Sequence, residues 1–169
     1  MELIFAKKSD LPRLYDFFAE AVSDLRSKGI YIWDEVYPAC MLESDIENGG
    51  LYFIEENGEM LAVFALCDIN ECEGAVIWED NAAEALFIYR LAVNPQYQKR
   101  GLGALALRHA AKEAGKRGAK YLRLLVGDNN TPAINLYRKC GFSEARGVFT
   151  KVVSDEITLS ELGFEIKTK

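Results

Sequence analysis

A strand that leads into a glycine-containing helix start is the feature that most constrains this chain. Residues 85–93 (ALFIYRLAV) are apolar and rich in β-formers, which predicts a strand that ends before Asn94-Pro95. Apolar residues then recur at helical spacing over residues 101–116, and Gly118 marks the helix end. The segment predicts a strand-loop-helix unit, which is typical of folds that combine a sheet with helices.

The start of this helix is suited to holding an anion. The first amides of a helix have no acceptor within it and lie at the positive end of its dipole, so a phosphate satisfies them. Gly101 and Gly103 allow close approach of the backbone, and Lys99 and Arg100 add positive charge. The P-loop pattern is absent, and Ala106 stands where the dinucleotide fingerprint needs a third glycine. Two glycines alone are also consistent with a helix packed closely on a sheet.

The remaining periodicity predicts one mixed α/β domain over residues 1–169. Asn57-Gly58 between two β-rich runs predicts an antiparallel hairpin. Residues 68–83 are predicted to be a loop or a hairpin extension. The last strand, at residues 157–166, is predicted to carry a break or bulge at residues 160–163. The turn that connects it to the preceding strand is predicted at Ser154-Asp155-Glu156. Besides a short N-terminal strand, we predict helices at residues 9–29, 41–47 and 131–140, and strands at 51–55, 60–67, 120–126, 142–153 and 157–166.

Composition excludes several classes of protein. Apolar residues make up 50% and charged residues 27%, which excludes a disordered chain and a disulfide scaffold. No apolar run reaches the ~20 residues of a membrane span, and the N-terminus lacks the pattern of a signal peptide. The four cysteines show no CxxC spacing and only one histidine accompanies them, so neither a metal site nor disulfides are predicted. We therefore expect a cytoplasmic protein with free thiols and no membrane attachment.

Charge is distributed unevenly along the chain. Residues 1–95 carry 6 basic and 19 acidic residues, whereas residues 96–125 carry 8 basic and 1 acidic residue. This asymmetry indicates an anionic ligand near the middle of the chain and a cationic or neutral one near the first half. A solvated helix face explains the basic block equally well. A pI of about 5.0 argues against nucleic-acid binding.

Two motifs stand out together, Gln98-Lys99-Arg100-Gly101-Leu102-Gly103 and residues 130–142 (NTPAINLYRKCGF). The first matches the [QR]xxGx[GA] motif and the second matches the second signature of the GNAT family of N-acetyltransferases, which this sequence therefore resembles. The resemblance implies a central, mixed but mostly antiparallel sheet flanked by helices. It also implies acetyl-CoA as cofactor and transfer of its acetyl group to a primary amine.

The resemblance assigns the cofactor site residue by residue. The end of the strand before the loop would face the pantetheine arm, and we expect a bulge there. Asn130 would hydrogen-bond the same arm, although it is equally suited to cap the helix that follows. The implied pyrophosphate residues are Gln98, Lys99, Arg100, Gly101, Leu102, Gly103 and Ala104; the implied pantetheine residues are Leu91, Ala92, Val93, Asn130, Ala133 and Tyr137.

The implied reaction is direct attack of a neutral amine on the thioester in a ternary complex. Tyr137 would be the general acid that protonates the leaving thiolate, or else an aromatic residue packed under the sheet. A strand amide near Val93 would stabilise the oxyanion. Glu84 is our choice for the general base. Glu79, Asp80, Glu35 and a chain of waters remain alternatives.

The acceptor site is expected in the first half of the chain. Trp33 and Tyr37, with Asp34 and Glu35 between them, suggest an aromatic and acidic pocket for a cationic amine, a small molecule or a peptide or protein amine. Trp33 is also suited to hold the second helix on the sheet. Tyr89 joins this substrate set at a place where many relatives carry histidine.

A non-catalytic acyl-CoA sensor of the same fold is the alternative function, and a homodimer is compatible with the C-terminal strands.

Overall fold

The computed structural model describes residues 1–34, 36–152 and 158–168. Two compact units are distinguished in it. The first consists of Met1–Cys67 and Tyr89–His109, and the second of Asp68–Ile88 and Ala110–Lys169. Strand β4 (Ala85–Val93) and helix α3 (Leu102–Lys116) each contribute residues to both units. A single domain over the whole chain stays a prediction.

The first unit is built on an antiparallel sheet with helices. Asn57 and Gly58 both have positive φ, 53° and 83°, which is the conformation that a tight two-residue hairpin requires, so the predicted hairpin is confirmed. The strands are ordered β1-β2-β3-β4. Besides α3 and β4, the elements of this unit are β1 (Glu2–Phe5), α1 (Leu11–Ser27), α2 (Leu42–Glu47), β2 (Leu51–Glu56) and β3 (Glu59–Cys67).

A continuous apolar core holds the first unit together. Leu14 and Phe18 project from α1, four residues apart, and pack with Phe53 of β2 and Val63 of β3, all fully buried. Each such side chain contributes about 1.5–3 kcal/mol of burial free energy. The face of α1 that carries these residues is therefore fixed on the sheet.

The second unit contains the first residues of β4 and the strands that follow β4 in the chain. The parallel ladder between β4 and β5 pairs Ala85–Phe87 with Tyr121–Arg123, and β8 then pairs antiparallel with β5. The strand order is β4-β5-β8-β6, and β7 also pairs with β8. Besides β4 and α3, the elements are β5 (Tyr121–Gly127), α4 (Thr131–Lys139), β6 (Ser143–Glu144), β7 (Phe149–Val152) and β8 (Thr158–Lys167).

The prediction of one strand over residues 142–153 is wrong. β6 and β7 are separate, and both pair with β8, which continues through residues 160–163, where we expected a break. The interruption occurs at Arg146 and Gly147: Arg146 instead bridges Ile77, and a Cβ on Gly147 would lie 2.3 Å from the carbonyl oxygen of Ala75. The predicted turn at Ser154-Asp155-Glu156 lies outside the described residues.

The fold class is the expected one. Helices accompany a mixed sheet in which one strand pair is parallel and the other registered pairs are antiparallel across the described residues. The helix and strand positions agree with the sequence pattern elsewhere, within one to three residues at their ends.

Candidate active site

The loop between β4 and α3 has the geometry of an anion site. Gly101 has φ 78°, and a Cβ built there meets nothing within 4 Å, so the space above the loop is open. Leu105 donates its amide to the Gly101 carbonyl oxygen at 3.0 Å, the first i→i−4 bond of α3. The amides of Leu102, Gly103 and Ala104 therefore precede the helical hydrogen-bond ladder and are available to a phosphate. The residues present fit the diphosphate of a nucleotide cofactor.

The side chain of Gln98 anchors this loop to α1. Its Nε2 donates to Asp24 Oδ2 at 2.8 Å, and its Oε1 accepts from Lys28 Nζ at 2.8 Å. Lys28 also pairs with Asp24 at 2.5 Å. Partial burial would raise the pKa of Asp24, but the hydrogen bonds from Lys28 and Gln98 outweigh it and leave the pKa below its usual value. Sequence reasoning considered only the backbone at Gln98 and missed Asp24 and Lys28.

The end of β4 is distorted at Arg90, immediately before the predicted pantetheine segment. Arg90 has φ 54°, a left-handed conformation that costs an L-residue roughly 1–2 kcal/mol. We predict a β-bulge at residues 91–93; the left-handed residue lies one position before Leu91, and the bulge stays a prediction. Asn94 then fixes the exit from the strand, because its Nδ2 donates to Met60 O at 3.1 Å and its Oδ1 accepts from the Gln96 amide at 3.0 Å. Ala92 is buried, while Leu91 and Val93 are half-buried.

A buried ion pair lies beside this distortion. Arg90 donates from Nε and Nη2 to the two carboxylate oxygens of Asp45 on α2, each at 2.6 Å. Its Nη1 lies 3.4 Å from the Tyr37 hydroxyl. Burial alone would lower the pKa of Arg90, but the oxygens of Tyr37 and Asp45 raise it above its usual value. The guanidinium is therefore charged, and it connects β4 to α2 and to the predicted acceptor segment.

The predicted acceptor residues all lie in the first unit. Trp33 and Tyr89 are partly buried and pack against the apolar core, with Trp33 edge-on to Phe18 at 5.8 Å between ring centroids. Tyr37 is half-buried and its hydroxyl faces Arg90. Asp34 uses Oδ1 to accept from the amides of Val36 and Tyr37, at 2.8 and 2.7 Å. Glu35 lies outside the described residues.

The second signature lies in the second unit. Asn130 caps α4, its Oδ1 accepting from the Ala133 amide at 3.3 Å, so the capping role that the sequence left open is observed. Tyr137 is buried, with its ring 5.9 Å from Phe164 and 6.0 Å from Phe142. Burial is the main cause that raises the pKa of the Tyr137 phenol far above its usual value, with a smaller contribution from Cys140. Tyr137 therefore keeps its proton at neutral pH.

Three of the candidate bases, Glu79, Asp80 and Glu84, precede β4 in the chain. Glu84 is exposed. Glu79 pairs with Lys167 at 2.8 Å, and Asp80 Oδ1 accepts from the Ala82 amide at 3.1 Å. Glu84 stays a prediction.

The described residues contain neither a cluster suited to a metal ion nor a helix suited to cross a membrane. Across residues 1–34, 36–152 and 158–168, no group of three His, Cys, Asp or Glu residues is placed to hold a metal ion. No helix in the described part of the chain is both long and apolar enough to cross a membrane.

Comparison with known proteins identifies the family. The acetyltransferase (GNAT) family matches residues 13–142, and the chain belongs to it. Over 93 residues it is 37% identical to the [ribosomal protein bS18]-alanine N-acetyltransferase of Escherichia coli, covering 55% of this chain and 62% of that protein. Over 114 residues it is 31% identical to an uncharacterized N-acetyltransferase of Methanocaldococcus jannaschii, covering 66% of this chain and 46% of that protein. The matches thus span about half to three-fifths of these relatives.

Solved structures show the same fold. A Salmonella typhimurium protein solved with its cofactor acetyl-CoA superposes with a TM-score of 0.68 and 20% identity, covering all of this chain and 94% of that one. The GNAT family uses acetyl-CoA. The family assignment made from the two motifs is therefore confirmed.

Proposed function

We propose that this protein is an acetyl-CoA-dependent N-acetyltransferase that moves an acetyl group to a primary amine by direct attack in a ternary complex. The observation that supports it most is the loop from Gln98 to Ala104. It offers amides ahead of the helical ladder and open space above Gly101, as a pyrophosphate needs. The GNAT membership supplies the cofactor class.

The cofactor would be held by two groups of residues. The amides of residues 98–104 bind the pyrophosphate, while Lys99 and Arg100 are exposed and lower the cost of bringing its charges to the loop. Leu91, Ala92 and Val93 present strand backbone to the pantetheine arm. The side chain of Asn130 caps α4 through Oδ1, so a hydrogen bond from Asn130 to the pantetheine arm would use the Nδ2 group or the second lone pair of Oδ1. Ala133 and Tyr137 complete the second group.

Acetyl-CoA supplies the acetyl group as an activated thioester. The Val93 amide would stabilise the negative charge that develops on the carbonyl oxygen as the amine attacks. Tyr137 would give its phenolic proton to the departing sulfur, and burial keeps that proton in place until then. The amine must arrive neutral; Glu84 is the assigned base, with bound water as its alternative.

The acceptor would be a peptide or protein N-terminal amine, or a small primary amine. The Escherichia coli relative acts on an alanine of ribosomal protein bS18, which supports an N-terminal amine. Trp33, Tyr37 and Tyr89 would form an aromatic wall for the acceptor. In the described part of the acceptor segment, Asp34 accepts hydrogen bonds from the amides of Val36 and Tyr37. We place the activity in the cytoplasm, in keeping with four described cysteines that form no disulfide, Cys40, Cys67, Cys72 and Cys140.

The test is a thiol-release assay with acetyl-CoA and a peptide that begins with alanine. The same peptide with a blocked N-terminus is the substrate control. Tyr137→Phe should lower kcat about 10²–10⁴-fold, as expected for loss of a general acid. Tyr52→Phe is the matched control, since Tyr52 and Tyr137 are each 7% exposed, and it should leave kcat within twofold. Thiol release that does not depend on the free amine, or no release by a wild-type protein that binds acetyl-CoA, would contradict the proposal. The latter outcome would favour the sensor alternative.

A further inference from the structure

A buried arginine links the acceptor segment to the strand that carries the predicted oxyanion donor. The side chains of Arg90 and Asp45 are 5% and 9% exposed, and two hydrogen bonds of 2.6 Å join them. A guanidinium bound through Nε and Nη2 is held in one orientation by the planar carboxylate. The remaining nitrogen, Nη1, points to the Tyr37 hydroxyl at 3.4 Å.

This arrangement fixes two parts of the first unit to one side chain. Asp45 holds Arg90 to α2, while Tyr37 belongs to the segment between α1 and α2. Arg90 is also the residue at which β4 takes a left-handed backbone conformation, directly before Leu91.

We propose that Arg90 is a positioning residue for the acceptor amine. It holds the Tyr37 hydroxyl in place. This inference rests on the proposed acetyltransferase function and deepens it, because it assigns acceptor recognition to the Arg90, Asp45 and Tyr37 group. The pyrophosphate of acetyl-CoA would bind at the separate loop of residues 98–104.

A second buried pair in the same chain provides a matched control. Arg123 Nε donates to Glu165 Oε2 at 3.1 Å, with side chains that are 3% and 5% exposed. Arg123 lies in β5 and Glu165 in β8, and neither has been assigned to the site. Lysine keeps the charge but loses the planar fork, so Arg90→Lys and Arg123→Lys make the same chemical change at two places.

The experiment measures steady-state kinetics with the alanine peptide and acetyl-CoA varied separately. Arg90→Lys should raise KM for the peptide about tenfold and KM for acetyl-CoA less than about twofold. Tyr37→Phe leaves the ion pair intact and therefore should fold, and it should raise the peptide KM about threefold or more. Arg123→Lys should change neither KM by more than about twofold.

The possible results separate this inference from the proposed function. An unchanged peptide KM in Tyr37→Phe and in folded Arg90→Lys, with the wild type active, would overturn the role of Arg90 and leave the acetyltransferase intact. Equal loss in Arg90→Lys and Arg123→Lys would reduce Arg90 to a general stabilising role and also overturn it. Absence of turnover by the wild type would overturn the proposed function, and this inference with it.

Discussion

Replacing Asp24 with asparagine should weaken binding of acetyl-CoA through the loop that Gln98 anchors. Asp24 accepts hydrogen bonds from Gln98 at 2.8 Å and from Lys28 at 2.5 Å, and these contacts tie the loop to α1. Asparagine keeps the shape of the side chain and removes its charge. The loop would then be less ordered in the free protein, and ordering it would cost free energy when acetyl-CoA binds.

The magnitude follows from the exposure of these groups. Asp24 and Lys28 side chains are 21% and 42% exposed, so their i,i+4 pair is worth only about 0.3–0.5 kcal/mol after screening. The hydrogen bond from Gln98 to a charged, partly buried carboxylate adds about 1 kcal/mol. Together they amount to about 1.4 kcal/mol, so KM for acetyl-CoA should rise by at most about tenfold.

Stability should show the matching dependence on pH. Because the folded pKa of Asp24 lies below its usual value, the carboxylate stabilises the fold above the unfolded pKa, and this contribution is lost as the pH falls through the folded value. The free energy of unfolding of wild type and Asp24→Asn should therefore differ at pH 7, by about 1 kcal/mol. The difference should begin to shrink as the pH falls below about 4 and should vanish below the folded pKa of Asp24.

The assay combines urea denaturation with the acetyl-CoA dependence of thiol release. Asp16→Asn is the control, because Asp16 is an exposed residue of the same helix, and it should change neither quantity. An acetyl-CoA KM that is unchanged in Asp24→Asn, or a stability difference that does not shrink as the pH falls below about 4, would contradict this role of Asp24.

Two further predictions concern residues that shape the fold around the site. Gly163→Ala should lower the free energy of unfolding by about 1–3 kcal/mol, because its Cβ would lie 2.7 Å from Val76 and 2.9 Å from Trp78. Urea denaturation measures this loss. A loss below about 0.5 kcal/mol, as for an ordinary surface change, would show that this packing is looser than the structure indicates. Asn94→Ala should cost about 2 kcal/mol, because a buried Met60 carbonyl and the Gln96 amide each lose a partner; thermal unfolding measures it, and an unchanged melting temperature would contradict that assignment.

The sequence was sufficient where local chemistry determines the structure. The Asn57-Gly58 hairpin, the α3 start at Gly101 and the cap at Asn130 all depend on a few adjacent residues whose backbone preferences are strong. The GNAT motifs belong to the same category, since each of the two signatures is a continuous run of residues, and together they identified the family.

Contacts between distant residues could not be predicted in this way. Asp24 and Gln98 are 74 residues apart, and Asp45 and Arg90 are 45 residues apart, so no local pattern pairs them. One signal was present: Arg90 is a charged residue within an apolar strand, and a charge buried there needs a partner. The division between β6 and β7 was missed for the same reason, because it depends on the bridge from Arg146 to Ile77.

Calorimetric titration with acetyl-CoA tests the central claim most directly, with wild type, Gly101→Glu and Gly118→Glu compared. Both glycines have positive φ, 78° and 88°, and open space around a built Cβ, so the two substitutions carry a similar folding cost of about 1–2 kcal/mol. Gly101→Glu places a carboxylate where the pyrophosphate would bind, and charges of one sign about 4 Å apart near a protein surface cost about 4 kcal/mol. We expect wild type and Gly118→Glu to bind equally and Gly101→Glu to bind at least about a hundredfold more weakly. Equal binding by all three folded proteins, or no binding by the wild type, would contradict the assignment of the loop to the cofactor.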